Sequence, residues 1–206
     1  MVRALSCIGL LCGIALAGCS SSGSDGAAGA AADLQGRWAS TCNVTASGNS
    51  SGRVEVTVTG TTATFANTEY LRNTTCSGDL SRSQTDHVTY RLTGEETELT
   101  DGNAKNVDIT LNRVSYTASQ AYLDILTEEG ITLADDLAAV GVTFPDLNNV
   151  TPEQLERDPV EYTIYRIDTN ADGTLELRTG STSVDASTPE MRPDRLSSVR
   201  RFDRLP

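Results

Sequence analysis

Apolar side chains in this chain recur mostly at every second position. From Arg53 to Thr59, Val54, Val56 and Val58 alternate with Arg53, Glu55 and Thr57, the period of a strand with one buried face. Gly60-Thr61 interrupts the run and Ala63 and Phe65 resume it, so residues 52–66 read as a β-hairpin. Val88, Tyr90 and Leu92 alternate between His87 and Thr93, and Val107, Ile109 and Leu111 do so between Asn106 and Arg113. Gly94 and Asp101-Gly102-Asn103 punctuate these runs. Upstream, a strand from Leu34 to Cys42 places Trp38, Ser40 and Cys42 on one face, and Tyr70 to Cys76 reads as a short strand bringing the second cysteine near the first. Downstream, strands are expected over Glu161–Ile167, Thr174–Thr179 and Ser198–Leu205, with a polar loop from Ser181 to Pro193 before the last. One face stays polar in most of these runs, which indicates antiparallel, half-buried strands.

The middle of the chain changes period. Tyr122, Ile125, Leu126 and Glu129 follow helical spacing up to Gly130. Thr132, with Asp135 three residues on, can cap a second helix carrying Leu133, Leu137 and Val140 to a stop at Gly141. Thr151-Pro152-Glu153-Gln154 has the cap, first-turn proline and capping-box partner of a helix of one or two turns ending near Asp158-Pro159. Residues 118–159 are therefore expected to be a helical insertion in a mainly β domain. Eight or nine short strands without β-α-β alternation predict an antiparallel up-and-down barrel or a strongly curved sheet, with a β-sandwich as the alternative.

The first residues are of another kind. Met1-Val2-Arg3 precedes an apolar stretch from Ala4 to Ala17, and small residues follow, which are the parts of a secretory signal. The stretch falls short of the roughly 20 residues of a spanning helix. Leu16-Ala17-Gly18-Cys19 resembles the lipobox of bacterial lipoproteins. That resemblance implies a signal peptide over residues 1–18 and a lipid-bearing Cys19, whose acyl chains enter a bilayer. Ser20 stands after the cysteine where an aspartate would signal inner-membrane retention, so the resemblance implies the outer membrane, on its periplasmic side unless the domain is surface-exposed. Residues 20–33 hold no large apolar side chain and should complete, after Cys19, a flexible tether reaching about 20 Å. The folded domain is then residues 34–206.

Removal of residues 1–18 takes away Arg3 and no acid, leaving 15 basic against 28 acidic side chains, a net charge of −13. With Lys105 the sole lysine, a nucleic-acid partner is excluded, because phosphate neutralisation needs clustered cations. Of five cysteines, Cys7 and Cys12 leave with the signal and Cys19 takes lipid. Cys42 and Cys76 remain as a pair on the oxidising side of a membrane, and a disulfide between them is expected.

Gly36-Arg37-Trp38 resembles the G-x-W signature that opens lipocalin-type barrels. The resemblance implies that Gly36 and Trp38 close one end of the barrel with an arginine of the last strand, Arg201 or its neighbours Arg200 and Arg204, stacked on the indole. Thr85-Asp86-His87-Val88-Thr89-Tyr90 departs from the family's T-D-x-x-Y loop by one extra residue and an early position. Asp168-Thr169-Asn170-Ala171-Asp172-Gly173 matches the start of an EF-hand loop, but Thr179 stands where the bidentate glutamate belongs, and Asn, Asp and Gly also serve a tight turn. Asp168, Asn170 and Asp172 are thus a weak calcium candidate beside a plain turn, and no cofactor is expected. His87 is the sole histidine, and serine nucleophiles lack a G-x-S-x-G context. The expectation is a non-enzymatic module that holds a small apolar ligand or an envelope protein partner. A fully packed structural or interaction module of the cell envelope is the first alternative. The less favoured one, a carboxylate-dependent hydrolase, requires two inward-facing acids within about 10 Å.

Overall fold

The structure is a computed structural model. It describes residues 32–44, 50–71, 73–77, 80–139, 143, 146–156, 159–181 and 186–206. Two compact units divide the chain, residues 1–34 and 35–206. Cys19, the signal segment and nearly all of the tether lie outside the described residues, as do Val140 and Gly141.

Residues 35–206 form nine strands: β1 (Gly36–Ser40), β2 (Asn43–Val44), β3 (Ser50–Thr59), β4 (Thr62–Leu71), β5 (Leu80–Leu99), β6 (Gly102–Ala118), β7 (Val160–Thr169), β8 (Leu175–Gly180) and β9 (Leu196–Arg204). From β3 onward each strand pairs antiparallel with the next, and β1 pairs with both β3 and β9. That double pairing closes an eight-strand up-and-down barrel, to which β2 adds a short extra rung on β3. The sheet is therefore closed: of the barrel and the curved sheet that the strand pattern allowed, the barrel forms, and the alternative sandwich does not. Closure removes the free edges that would otherwise be left unpaired.

Register fixes what faces inward. Trp38 lies opposite Val56, Val56 opposite Phe65, and Ser40 opposite Phe202, so the valine face of β3 lines the lumen with Trp38 and Phe202. Beyond a bulge after His87, Val88 meets Leu111 and Tyr90 meets Ile109, which keeps the alternating apolar positions of β5 and β6 inside. Val107 opposite Thr163, Tyr165 opposite Thr179 and Leu177 opposite Phe202 carry the same face round to β9. Trp38, Val56, Val88, Tyr165 and Phe202 are all buried.

Two strands are much longer than the expected runs: β5 has 20 residues and β6 has 17. The added stretch of β5 is rich in threonine, serine and glutamate, whereas β6 continues past Arg113 with Val114, Tyr116 and Ala118 at every second position, and Val114 and Tyr116 are buried. Tyr70–Cys76 is not a strand. β4 ends at Leu71, and the Asn73 carboxamide oxygen accepts from the Thr75 amide at 2.7 Å, giving the backbone a local partner in place of a ladder. Cys76 then turns with φ 49° and reaches Cys42, with which it forms the expected disulfide across a Cα–Cα distance of 5.6 Å.

Two helices stand between β6 and β7, α1 (Gln120–Glu128) and α2 (Leu133–Ala139). The Ser119 hydroxyl caps α1 by accepting from the Tyr122 amide, and Gly130 follows with φ 71°. The Thr132 hydroxyl accepts from the Asp135 amide at 3.2 Å while the Asp135 carboxylate accepts from the Thr132 amide at 3.0 Å, a reciprocal cap for α2. Among the described residues the third expected helix does not form. Thr151 and Gln154 do exchange hydrogen bonds, but residues 152–156 form turns and Glu156 adopts φ 51°. Instead of continuing helically, the chain runs back along β6: Val114 and Val150 exchange backbone hydrogen bonds, and the Tyr116 amide donates to Leu147 O. β7 covers β6 only from Lys105 to Thr110, so this returning segment completes the wall above it.

Candidate functional site

The lumen has two dissimilar ends. At one, Gly36 takes φ 117°, a conformation favouring glycine, and Trp38 behind it is fully buried. The Arg204 guanidinium carbon lies 5.4 Å from the Trp38 ring centroid, and Arg204 Nη2 donates to Gln35 O at 3.1 Å. The Gln35 side chain bridges Gly60 and the Tyr90 hydroxyl. Arg204, directly opposite Trp38 in the β1–β9 ladder, is thus the arginine on the indole. Arg201, the partner named first from sequence, points to the outer face, where its guanidinium binds Glu176 at 2.7 Å. The correction follows from strand parity, since residues 201 and 204 differ by an odd number and face opposite sides.

Toward the other end the lumen opens into a cavity of about 310 Å³. Phe65, Val88, Ile109, Leu111 and Phe202 form its apolar wall, while Asn67, Gln84, Asp86, Glu161 and Arg200 bring polar groups to it. Those charges are largely spoken for. Arg200 lies 3.7 Å from Glu161, and Gln84 Nε2 donates to Asp86 at 3.0 Å. Two hydroxyls in the wall, Thr163 Oγ1 and Thr179 Oγ1, are buried and make no hydrogen bond.

A second cavity of about 300 Å³ lies against Leu137 of α2. Tyr116, Glu69 and Arg82 line it, and it shares Asn67 and Gln84 with the first cavity. Arg82 donates to Glu69 at 2.8 Å and to Asp136 of α2 at 2.9 Å, tying the insertion to the barrel. Partial burial works against the Arg82 charge, but its bonds to Glu69 and the Asp136 carboxylate outweigh that and raise its pKa. Burial and a hydrogen bond to Asp136 raise the Tyr122 hydroxyl as well.

The other sequence candidates disperse. Asp168, Asn170 and Asp172 belong to the β7–β8 connection, where Asn170 exchanges backbone hydrogen bonds with Gly173 and Thr174. Asn170 Nδ2 donates to the Thr174 hydroxyl, which with the Thr174 amide donates to Asp172, while Asp168 binds Arg166 at 2.8 Å, so Asn170 and Asp172 brace the turn through Thr174 and Asp168 bonds elsewhere. His87 hydrogen-bonds Ser115 at 3.0 Å on the wall of the barrel. Asp86, from the imperfect family loop, lines the cavity.

Sequence reading missed two features. On the outer face, Asp108 is buried between Arg91 and Arg192, and Arg192 donates to Val107 O and Thr163 O, both at 2.9 Å, while stacking over Tyr162. This cluster holds the segment before β9 against β6 and β7. A charge inside the Val107–Ile109 run was its only signal, and its partner is more than 80 positions away. The second missed feature is the Asn67–Gln84 cross-strand pair, which parity with Phe65 and Val88 places inward.

Compared with known proteins, the chain matches no family model, and no curated protein matches it in sequence.

Proposed function

We propose that this protein is an outer-membrane lipoprotein, moored through an acylated Cys19 on the periplasmic side, whose barrel carries a small apolar ligand without covalent chemistry. The observation that carries the ligand reading is the 310 Å³ cavity inside a closed barrel, walled by Phe65, Val88, Ile109, Leu111 and Phe202. Sites of this size with an apolar wall and a few fixed polar groups suit small molecules. Anchoring rests on the lipobox resemblance at residues 16–19, and among the described residues no helix is long and apolar enough to cross a membrane.

Native mass spectrometry of the purified protein tests the ligand reading, with a co-purifying small molecule expected on wild type and absent from Ile109→Trp, which fills the cavity. A wild-type mass equal to the bare chain, with no uptake of added apolar probes, ends the reading. Incorporation of labelled palmitate into wild type but not Cys19→Ala tests the anchor.

A hydrolase keeps one observation in its favour, because Asp86 and Glu161 both line the cavity. Their bonds to Gln84 and Arg200 support a structural use instead. Hydrolysis of a glycoside panel by wild type and not by Glu161→Gln would reverse the preference.

A further inference from the structure

Resting on the ligand reading above, we infer that the ligand is an amphiphile with an uncharged, hydrogen-bonding head, its tail in the barrel lumen and its head in the second cavity beneath α2. The juxtaposition of two unlike cavities carries this. The lumen offers Phe65, Val88, Ile109, Leu111 and Phe202, whereas the cavity against α2 is lined mainly by polar side chains, with Leu137 as its aliphatic cover. The two meet at Asn67 and Gln84, which line both and lie opposite each other in the β4–β5 ladder. A molecule reaching from one cavity into the other passes this pair of carboxamides, which can donate and accept hydrogen bonds at the junction of tail and head.

The charge state of the head follows from what the guanidinium groups already do. Arg82 is held by Glu69 and Asp136, and Arg200 by Glu161. A carboxylate or phosphate head would have to share a guanidinium with an acid already on it and would sit beside that like charge, which disfavours it. An ammonium head would likewise compete with the guanidiniums for Glu69 and Glu161. What an uncharged head meets instead are carboxamides: Asn67 and Gln84 face inward across the β4–β5 ladder and line the second cavity, beside the ring of Tyr116. Sugar, glycerol or amide heads fit that set.

Three probes with one eight-carbon tail separate the possibilities: octyl glucoside, octanoate and octylammonium, each titrated calorimetrically into the full chain below its micellar concentration. Octyl glucoside is expected to bind about tenfold or more tightly than either charged probe, a difference of about 1.4 kcal/mol. Gln84→Leu and Asn67→Leu should each cut that preference about fivefold, with circular dichroism confirming the fold. Asn67 is exposed, so its replacement spares the core even if Gln84→Leu perturbs it. Octanoate or octylammonium binding as tightly as octyl glucoside, or a preference untouched by both substitutions, overturns the assignment of the head while leaving the barrel as a ligand carrier. Failure of all three probes to bind the wild-type chain overturns the carrier reading and this inference together.

Discussion

The two ends of the barrel are held by different physics. At the closed end, Trp38, Val56, Val58, Ala63 and Tyr90 are buried against one another, and Arg204 lies across the indole. Its stability is that of packed hydrocarbon and aromatic surface, which is cooperative and insensitive to salt. At the open end a cavity interrupts the apolar packing, and besides buried Val114, Val150 and Leu137 the elements are held by individual bonds: the Cys42–Cys76 bridge, the Arg82–Asp136 pair, the Thr132–Asp135 cap and the backbone bonds of residues 147–150 to β6. The contrast teaches why a cavity can exist here. Side chains that do not fill the lumen contribute less burial, and local covalent, ionic and capping bonds offset the loss without occupying the space.

Breaking the closed end should have the largest effect. Trp38→Ala removes a fully buried indole and leaves a void, so equilibrium urea unfolding should show a loss of about 3–5 kcal/mol, felt throughout the barrel. Next comes the open end's covalent bond. Paired Cys42→Ser and Cys76→Ser changes, which open a loop with a sequence separation of 34, should cost about 3–4 kcal/mol on the chain-entropy account. Hydrogen exchange should then rise first near residues 50–52 and 73–77, and uniform loss of protection would contradict the division into two ends. Arg204→Met keeps an apolar cover on the indole and removes the cation, so a loss of about 1 kcal/mol is expected in thermal unfolding. A larger loss would mean that charge, not packing, dominates the closed end.

The smallest effect sharpens the comparison through pH. Hydrogen bonds from the Thr132 hydroxyl and amide hold the Asp135 carboxyl below its ordinary value of 3.8. Its folded pKa is thus lower than its unfolded one, so the cap's contribution is complete above that ordinary value and is lost as pH falls through the depressed value. Protection factors of the α2 amides, with the intrinsic pH dependence of exchange divided out, should fall on acidification below about pH 4 before those of β1 do, and Thr132→Ala, which leaves only the backbone amide on Asp135, should weaken that dependence. Simultaneous acceleration in β1 would show that the insertion and the closed end are one cooperative unit.

Legibility from sequence followed the same division. The closed end was readable because its information is local: the valines of β3 repeat at two-residue spacing, Gly36 and Trp38 share a short motif, and hairpin turns carry glycine. The helical insertion was readable through the helical spacing up to Gly130 and through Thr132 and Asp135, which act within four residues of each other, whereas the Ser119 cap emerged only in the structure. The fate of Thr151–Glu156 was not readable, because its capping box forms locally while pairing of the preceding segment with Val114 and Tyr116 takes the chain along β6.

By itself, the amino-acid order determined a chain of alternating strands, an inserted helical pair and a pair of cysteines available to each other, because period, caps and turn residues act between near neighbours. Only the tertiary structure decided which arginine covers Trp38, that Arg192 and Arg91 enclose Asp108, and that Asn67 and Gln84 stand between two cavities. Those outcomes depend on sheet register and closure: joining β1 to both β3 and β9 sets every other strand's phase at once. Contacts between residues tens of positions apart follow from that phase, and no local pattern encodes it.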